Sequence, residues 1–316
     1  MAEADTPRAD ADETVAALDI GGTKTTAALV TRRGVVLDRV TAPTPGRAGA
    51  TAVLDTAADL VRQLRARAAG TRVRALGVGS AGVVDSRTGR VLSATDVLTG
   101  WAGTDLTGRL RQLLGLPVAV VNDVHAHALG EARHGAATGH DTVLYVAVGT
   151  GVGASFVAGD RVLAGAHSAA GHAGHQPSPY AGSLPCTCGG RGHLEAIAAG
   201  PALAGEYARR SGQPVADLRA VAARADGGDE TAREVVLLGG AAVGSAVGGL
   251  VNVLDPHAVV IGGGVTGLGG PWWGALRDAV RREALPVLAD VPVLASALGA
   301  DAPLLGAASL AWKDAE

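Results

Sequence analysis

Apolar residues come along this chain in short runs cut by glycines, and the first two runs pair up around a turn. Thr14-Val15-Ala16-Ala17-Leu18-Asp19 is apolar up to its closing aspartate, Ile20-Gly21-Gly22-Thr23-Lys24-Thr25-Thr26 turns, and Ala27-Ala28-Leu29-Val30 is apolar again. Strand, two-glycine turn and returning strand make a hairpin, not the strand-to-helix phosphate loop of Walker type. The device recurs at 142–157, where an apolar strand runs into Gly149-Thr150-Gly151-Val152-Gly153 and returns, which suggests an internal duplication. Further strands are predicted at 35–41, 73–79, 89–96, 118–121 and 259–261, with a glycine turn at 80–85. Helical periodicity predicts helices at 50–69, 105–114 (closed by Gly115), 124–133, 196–210, 215–225, 229–252, 275–285 and 302–312. Asp255-Pro256-His257 breaks the longest of them.

Composition adds constraints to this α/β pattern. The 316 residues suffice for two domains. Hydrophobic residues make up 47% but aromatics only 3%, so the cores must be built from Ala, Val and Leu, with 47 glycines letting backbones approach closely. A net charge of -3 and no basic run argue against nucleic-acid or membrane binding by electrostatics. Residues 1–13 are acidic and polar and read as a disordered tail without the apolar core of a secretory signal. No apolar run resembles a membrane span, since each is interrupted by Gly, Asp or Pro; a cytoplasmic location is expected.

Candidate chemistry concentrates in one loop. Both cysteines, Cys186 and Cys188, lie between His175 and His193 in a stretch rich in glycine and proline that excludes a long helix. Two thiolates and two imidazoles form a closed tetrahedral set for a structural zinc; the alternative is two free thiols. In the first hairpin, backbone N–H groups and the hydroxyls of Thr23, Thr25 or Thr26 can face a phosphate, Lys24 adds charge, and Asp19 can hold Mg²⁺ through water; an ordinary glycine turn is the alternative. Asn122-Asp123 closes a buried strand and opens a helix, so it reads either as a helix cap or as a general base facing the same sheet edge as Gly82 and Asp96. Gly262-Gly263-Gly264 follows another buried strand, as a platform for adenine or ribose or as a tight turn.

With these pieces in place, the chain resembles the ROK family of bacterial sugar kinases and sugar-responsive repressors, within the actin-like ATPase superfamily. The likeness spans about residues 14–313. It rests on Asp19-Ile20-Gly21-Gly22-Thr23-Lys24, Gly149-Thr150-Gly151-Val152-Gly153, Asn122-Asp123 with Ala128-Leu129-Gly130-Glu131, the metal loop, and Asp255-Pro256 with Gly262-Gly263-Gly264. It implies a two-domain actin-like ATPase (ribonuclease H-like) α/β fold with an interdomain cleft and a zinc-binding loop. The implied division is a small domain at 14–121, a large one at 122–301 with the zinc loop at 171–195, and a helix near 302–313 packing back onto the first.

The resemblance also implies ATP-dependent phosphorylation of the 6-hydroxyl of a hexose, either glucose or an N-acetyl or amino hexose, with Asp123 taking the proton. ATP and Mg²⁺ would be held by Asp19, Gly21, Gly22, Thr23 and Lys24, by Gly149, Thr150 and Gly151, and by Gly262, Gly263 and Gly264. The sugar would be held by Gly82, Asp96, Asn122, His172, His175 and Glu195. A homodimer or larger homo-oligomer is expected. Family repressors carry an added helix-turn-helix, and thirteen polar residues before the first strand are too few for one. The alternative is a sugar-binding regulator without catalysis. Three positions depart from the family pattern: His172 stands for a usual glutamate, Asp96 for an Asn-like residue, and His193 for a third cysteine.

Overall fold

The computed structural model describes residues 13–68, 70–95 and 97–315. Of the expected tail, 1–12 lies outside the described residues, and Glu13 opens the first strand with its carboxylate 2.7 Å from Arg74. Among the described residues the chain forms two compact units. One comprises the chain up to Thr138 with Asp160–Ala170 and Leu298 onward; the other comprises Gly139–Gly159 and Gly171–Ala297. The first therefore runs past the boundary expected at 121, and it includes the helix that follows Asn122.

In the first unit, in chain order, lie β1 (Glu13–Ile20), β2 (Lys24–Val30), β3 (Val36–Pro43), α1 (Ala50–Arg67), β4 (Arg72–Ser80), β5 (Val83–Asp85), β6 (Arg90–Ser93), α2 (Leu106–Leu114), β7 (Val118–Asn122) and α3 (Asp123–His134). The sheet order is β3-β2-β1-β4-β7, with the β1/β2 hairpin antiparallel and β1/β4 and β4/β7 parallel. Alternation along β1 buries both of its faces: Ala16, Leu18 and Ile20 join the core with α1 and α2, while Val15 and Ala17 join a second cluster. The turn expected at 80–85 instead carries β5, which pairs with β6 in a separate ribbon. It leaves the sheet because Gly82 turns with φ +97°.

The second unit repeats the plan. β8 (Thr142–Val148) and β9 (Val152–Ala158) form the hairpin, and β10 (Arg161–Val162) follows in the segment belonging to the first unit. Then come α4 (Glu195–Ala198), α5 (Gly200–Ser211), α6 (Leu218–Asp226), α7 (Glu230–Leu254), β11 (Ala258–Gly262), α8 (Gly270–Glu283) and β12 (Val293–Ala295). In the order β9-β8-β11-β12 an antiparallel hairpin is again extended by two parallel strands. The single helix expected at 196–210 is two helices. Pro201 starts the second, and the Gly200 N–H leaves the helical ladder to donate to the Gly149 carbonyl at 2.8 Å.

By length and hydropathy α7 is able to cross a membrane, contrary to the reading of its glycines as interruptions, and 56% of its apolar window is buried inside the unit. Those glycines are contacts. A Cβ on Gly240 or Gly244 would collide with the carbonyl of Trp272 or Leu276 on α8, so the missing side chains let the two backbones touch. The chain closes with α9 (Ala302–Asp314), whose Leu304, Leu305, Ala307, Ala308 and Ala311 cover Val15, Ala17, Ala28 and Val30 in the first unit.

Candidate active site and metal centre

The carboxyl edge of the first sheet gathers the acidic groups. The register pairs Asp19 with Gly79 and Ser80 with Asn122, so Asp19 and the start of α3 stand at one edge, two strand spacings or roughly 10 Å apart. Asn122 is the helix cap: its Oδ1 accepts from the N–H groups of Val124 (2.9 Å) and His125 (3.2 Å). Its amide nitrogen donates to the Gly82 carbonyl (2.9 Å) and to Asp123 Oδ1 (2.8 Å). With the cap filled by its neighbour, Asp123 keeps its carboxylate for other work. That carboxylate also accepts from the Val124 N–H at 2.9 Å, again on Oδ1.

Burial pushes the Asp123 carboxyl above the usual aspartate range, while the Val124 N–H, the positive charge of His127 and the Asn122 amide pull it back. Asp19 is also raised, by burial first and by the Asp123 charge, against His127 and Lys24, which lower it. His127, one turn on from Asp123, bonds the Asp123 carbonyl through Nδ1 at 2.9 Å; no pattern in the sequence singles it out.

In the first hairpin Gly21 N–H donates to the Lys24 carbonyl at 3.1 Å, and Thr23 and Lys24 are exposed. Thr25 and Thr26 are buried instead of facing outward, their hydroxyls paired with those of Thr44 (2.8 Å) and Thr41 (3.1 Å). Thr44 in turn donates to the Gly21 carbonyl at 2.8 Å, bracing the turn from β3's end. Gly22 packs against the side chain of Val97. Asp96 lies outside the described residues.

In the second unit a cavity of about 880 Å³ is lined by Gly149, Thr150 and Gly264 from among the expected nucleotide residues. Gly200, Pro201, Ala204, Val215 and Leu218 complete much of its apolar wall, and their convergence from α5, α6 and the segment between them leaves no periodic trace in the sequence. Gly262 and Gly263 are not among its lining. A Cβ on Gly262 would meet the Tyr145 hydroxyl, and Gly263, at φ +91°, backs onto the Val148 carbonyl. The triple glycine is thus a tight turn into a 3₁₀ segment, with its last member at the cavity.

The four proposed metal ligands converge: the donor atoms of His175, Cys186, Cys188 and His193 all lie within 4.8 Å of one another. Cys186 Sγ is 3.5 Å from His175 Nδ1 and Cys188 Sγ 3.2 Å from His193 Nδ1. A zinc tetrahedron with ordinary bond lengths has a sulfur-to-nitrogen edge of about 3.6 Å, so the donor set fits the ion. Exposed His172 stacks on His175 with centroids 6.1 Å apart. Glu195, first residue of α4, accepts from Thr187 Oγ1 (2.6 Å) and from the Val152 N–H (2.9 Å), linking the metal loop to the second glycine turn.

A ROK family model matches residues 15–314. The chain is 34% identical over 300 residues to N-acetylmannosamine kinase of Escherichia coli, covering 94% of this chain and 98% of that one. It is 31% identical over 305 residues to glucokinase of Halalkalibacterium halodurans, covering 92% of each. Among solved structures, the ROK hexokinase from Thermus thermophilus superposes with TM-score 0.85 at 37% identity, covering 95% of this chain and 98% of that one. The α/β architecture is therefore that of the actin-like ATPases among which such kinases fall. Sequence match and fold agree, and the chain belongs to the ROK family.

Proposed function

We propose that the protein is an ATP-dependent sugar kinase that phosphorylates the 6-hydroxyl of a hexose, glucose or an N-acetyl or amino hexose. The observation that carries the reading is Asp123: a half-buried carboxylate with a raised pKa, steadied on one oxygen by Asn122 and Val124, in a chain whose relatives are named as sugar kinases. Asp123 takes the proton as the hydroxyl oxygen attacks the γ-phosphorus, and the bond to ADP breaks. Phosphoryl transfer depends on positioning and charge neutralisation more than on covalent chemistry. Asp19 would hold Mg²⁺, which with Lys24 supplies positive charge for the phosphates.

The glycine turns at Gly21-Gly22 and Gly149–Gly151 would offer N–H groups to phosphate oxygens, and the apolar cavity beside Gly149 and Gly264 suits a purine nucleoside. His172, His175 and Glu195 are the sugar-facing candidates of the second unit, Asn122 and Gly82 those of the first. Four protein ligands leave no open position for a catalytic water, so zinc on His175, Cys186, Cys188 and His193 would act by holding the loop.

ADP release measured across a panel of hexoses tests the reading. Turnover is expected with at least one of glucose and the N-acetyl or amino hexoses, and Asp123→Asn is expected to lower kcat by at least ~10²-fold while nucleotide binding persists. Sugar binding without turnover in the native protein would point instead to a regulator, and near-normal kcat in the variant would remove Asp123 from the mechanism.

A further inference from the structure

Thr187, between the two cysteines, offers no soft ligand to a metal, yet it makes a short side-chain contact across the loop. Its hydroxyl donates to Glu195 Oε1 at 2.6 Å, the length of a bond to an ionised acceptor. The other oxygen, Oε2, accepts the Val152 N–H at 2.9 Å. Gly151 makes room for this: a Cβ there would sit 2.7 Å from Oε2. At the other pole of Val152, Gly174 is pressed against the carbonyl so closely that a Cβ would collide with it, and the Ala154 N–H donates to the Gly171 carbonyl at 2.6 Å. Both arms of the metal loop, 171–175 and 186–195, thus close on one turn of backbone.

A carboxylate held by one oxygen can swing about its last side-chain bond; held by both it cannot. We infer that Thr187 is a positioning residue that locks Glu195 between the metal loop and the 149–153 turn, so that an ordered loop fixes the backbone that grips the nucleotide as well as the wall that meets the sugar. The nucleotide part rests on the kinase reading above. The link from Thr187 through Glu195 to Val152 does not.

The test compares the zinc-loaded native protein with Thr187→Val, which keeps the size and loses the hydroxyl, and Thr187→Ser, which keeps the hydroxyl. Three quantities are read: zinc per chain, the exchange rate of the Val152 amide, and the Kd of a non-hydrolysable ATP analogue with Mg²⁺. In Thr187→Val the zinc content is expected to hold, the Val152 amide to exchange about tenfold faster, and the Kd to rise about threefold, as for loss of one charge-assisted bond at an exposed donor. Thr187→Ser is expected to behave like the native protein in all three. Unchanged Val152 exchange in Thr187→Val, equal damage from Val and Ser, or loss of zinc from the Val variant would each overturn the inference. A native protein that fails to bind the ATP analogue would sink the kinase reading instead, with the amide exchange still deciding the link.

Discussion

Asp123 sits where a charge is costly, and that cost is measurable apart from catalysis. Its folded pKa lies above the unfolded value near 3.8, with burial as the main cause. The sign follows from linkage: the ionised carboxylate lowers stability at neutral pH, the loss shrinks as pH falls through the raised folded pKa, and it vanishes below the unfolded one. Asp123→Asn removes the charge and keeps the shape, so the ligand-free variant is expected to melt higher than the native protein at pH 7. The gap should close near pH 3 to 4, and calorimetry at both pH values checks it. A variant that melts lower at pH 7 would mean that the bonds to Oδ1 outweigh the burial. At this scale the sequence is legible where chemistry is local: the four soft ligands lie in one glycine-rich loop. Thr44 and Thr187 escape notice because their partners, Gly21 and Glu195, are defined by the fold and by no spacing.

Among the elements, α7 and α8 show how a core poor in aromatics holds together. Gly240 and Gly244 stand one turn apart and take the carbonyls of Trp272 and Leu276, while Gly249, on an exposed face, touches nothing within 4 Å. The same substitution should therefore have opposite signs on the two faces of one helix. Gly244→Ala forces α8 away and is expected to destabilise by about 1–3 kcal/mol. Gly249→Ala meets no atom and is expected to stabilise by about 0.5–1 kcal/mol through helix propensity. Urea unfolding of the two variants measures both; equal effects would mean that the seam is looser than the close carbonyl approach implies. Helix existence was legible throughout, because apolar spacing and caps such as Asp105 and Gly115 are written in neighbouring residues. The break at Ala199 was not, because it depends on a hydrogen bond from Gly200 to a carbonyl fifty-one positions earlier in the chain.

For the molecule as a whole, the repeated order of hairpin and parallel strands was readable from the two glycine turns, whereas the membership of each unit was not. Which strand face a distant helix covers is a matter of topology, and α9 is the clearest case. Leu304, Leu305 and Trp312 are nearly or fully buried against a cluster whose other half is Val15, Ala17, Ala28, Val30 and Ala75. Gly306 rests on the Ala126 carbonyl of α3, and Arg133 donates to the Ser309 carbonyl at 3.3 Å. Burying three such large side chains contributes on the order of 5 to 9 kcal/mol, which is comparable to the net stability of a whole domain. A chain ended at Ala297 is therefore expected to lose amide protection across 13–138 while 171–297 keeps it, since the second unit has its own core around α7 and α8. A synthetic 298–316 peptide added in excess should restore that protection by supplying the missing face. Hydrogen exchange on the truncated protein, with and without the peptide, reads both outcomes. Full protection of β1 and β4 in the truncated chain alone would show that α9 only covers a sheet able to stand without it.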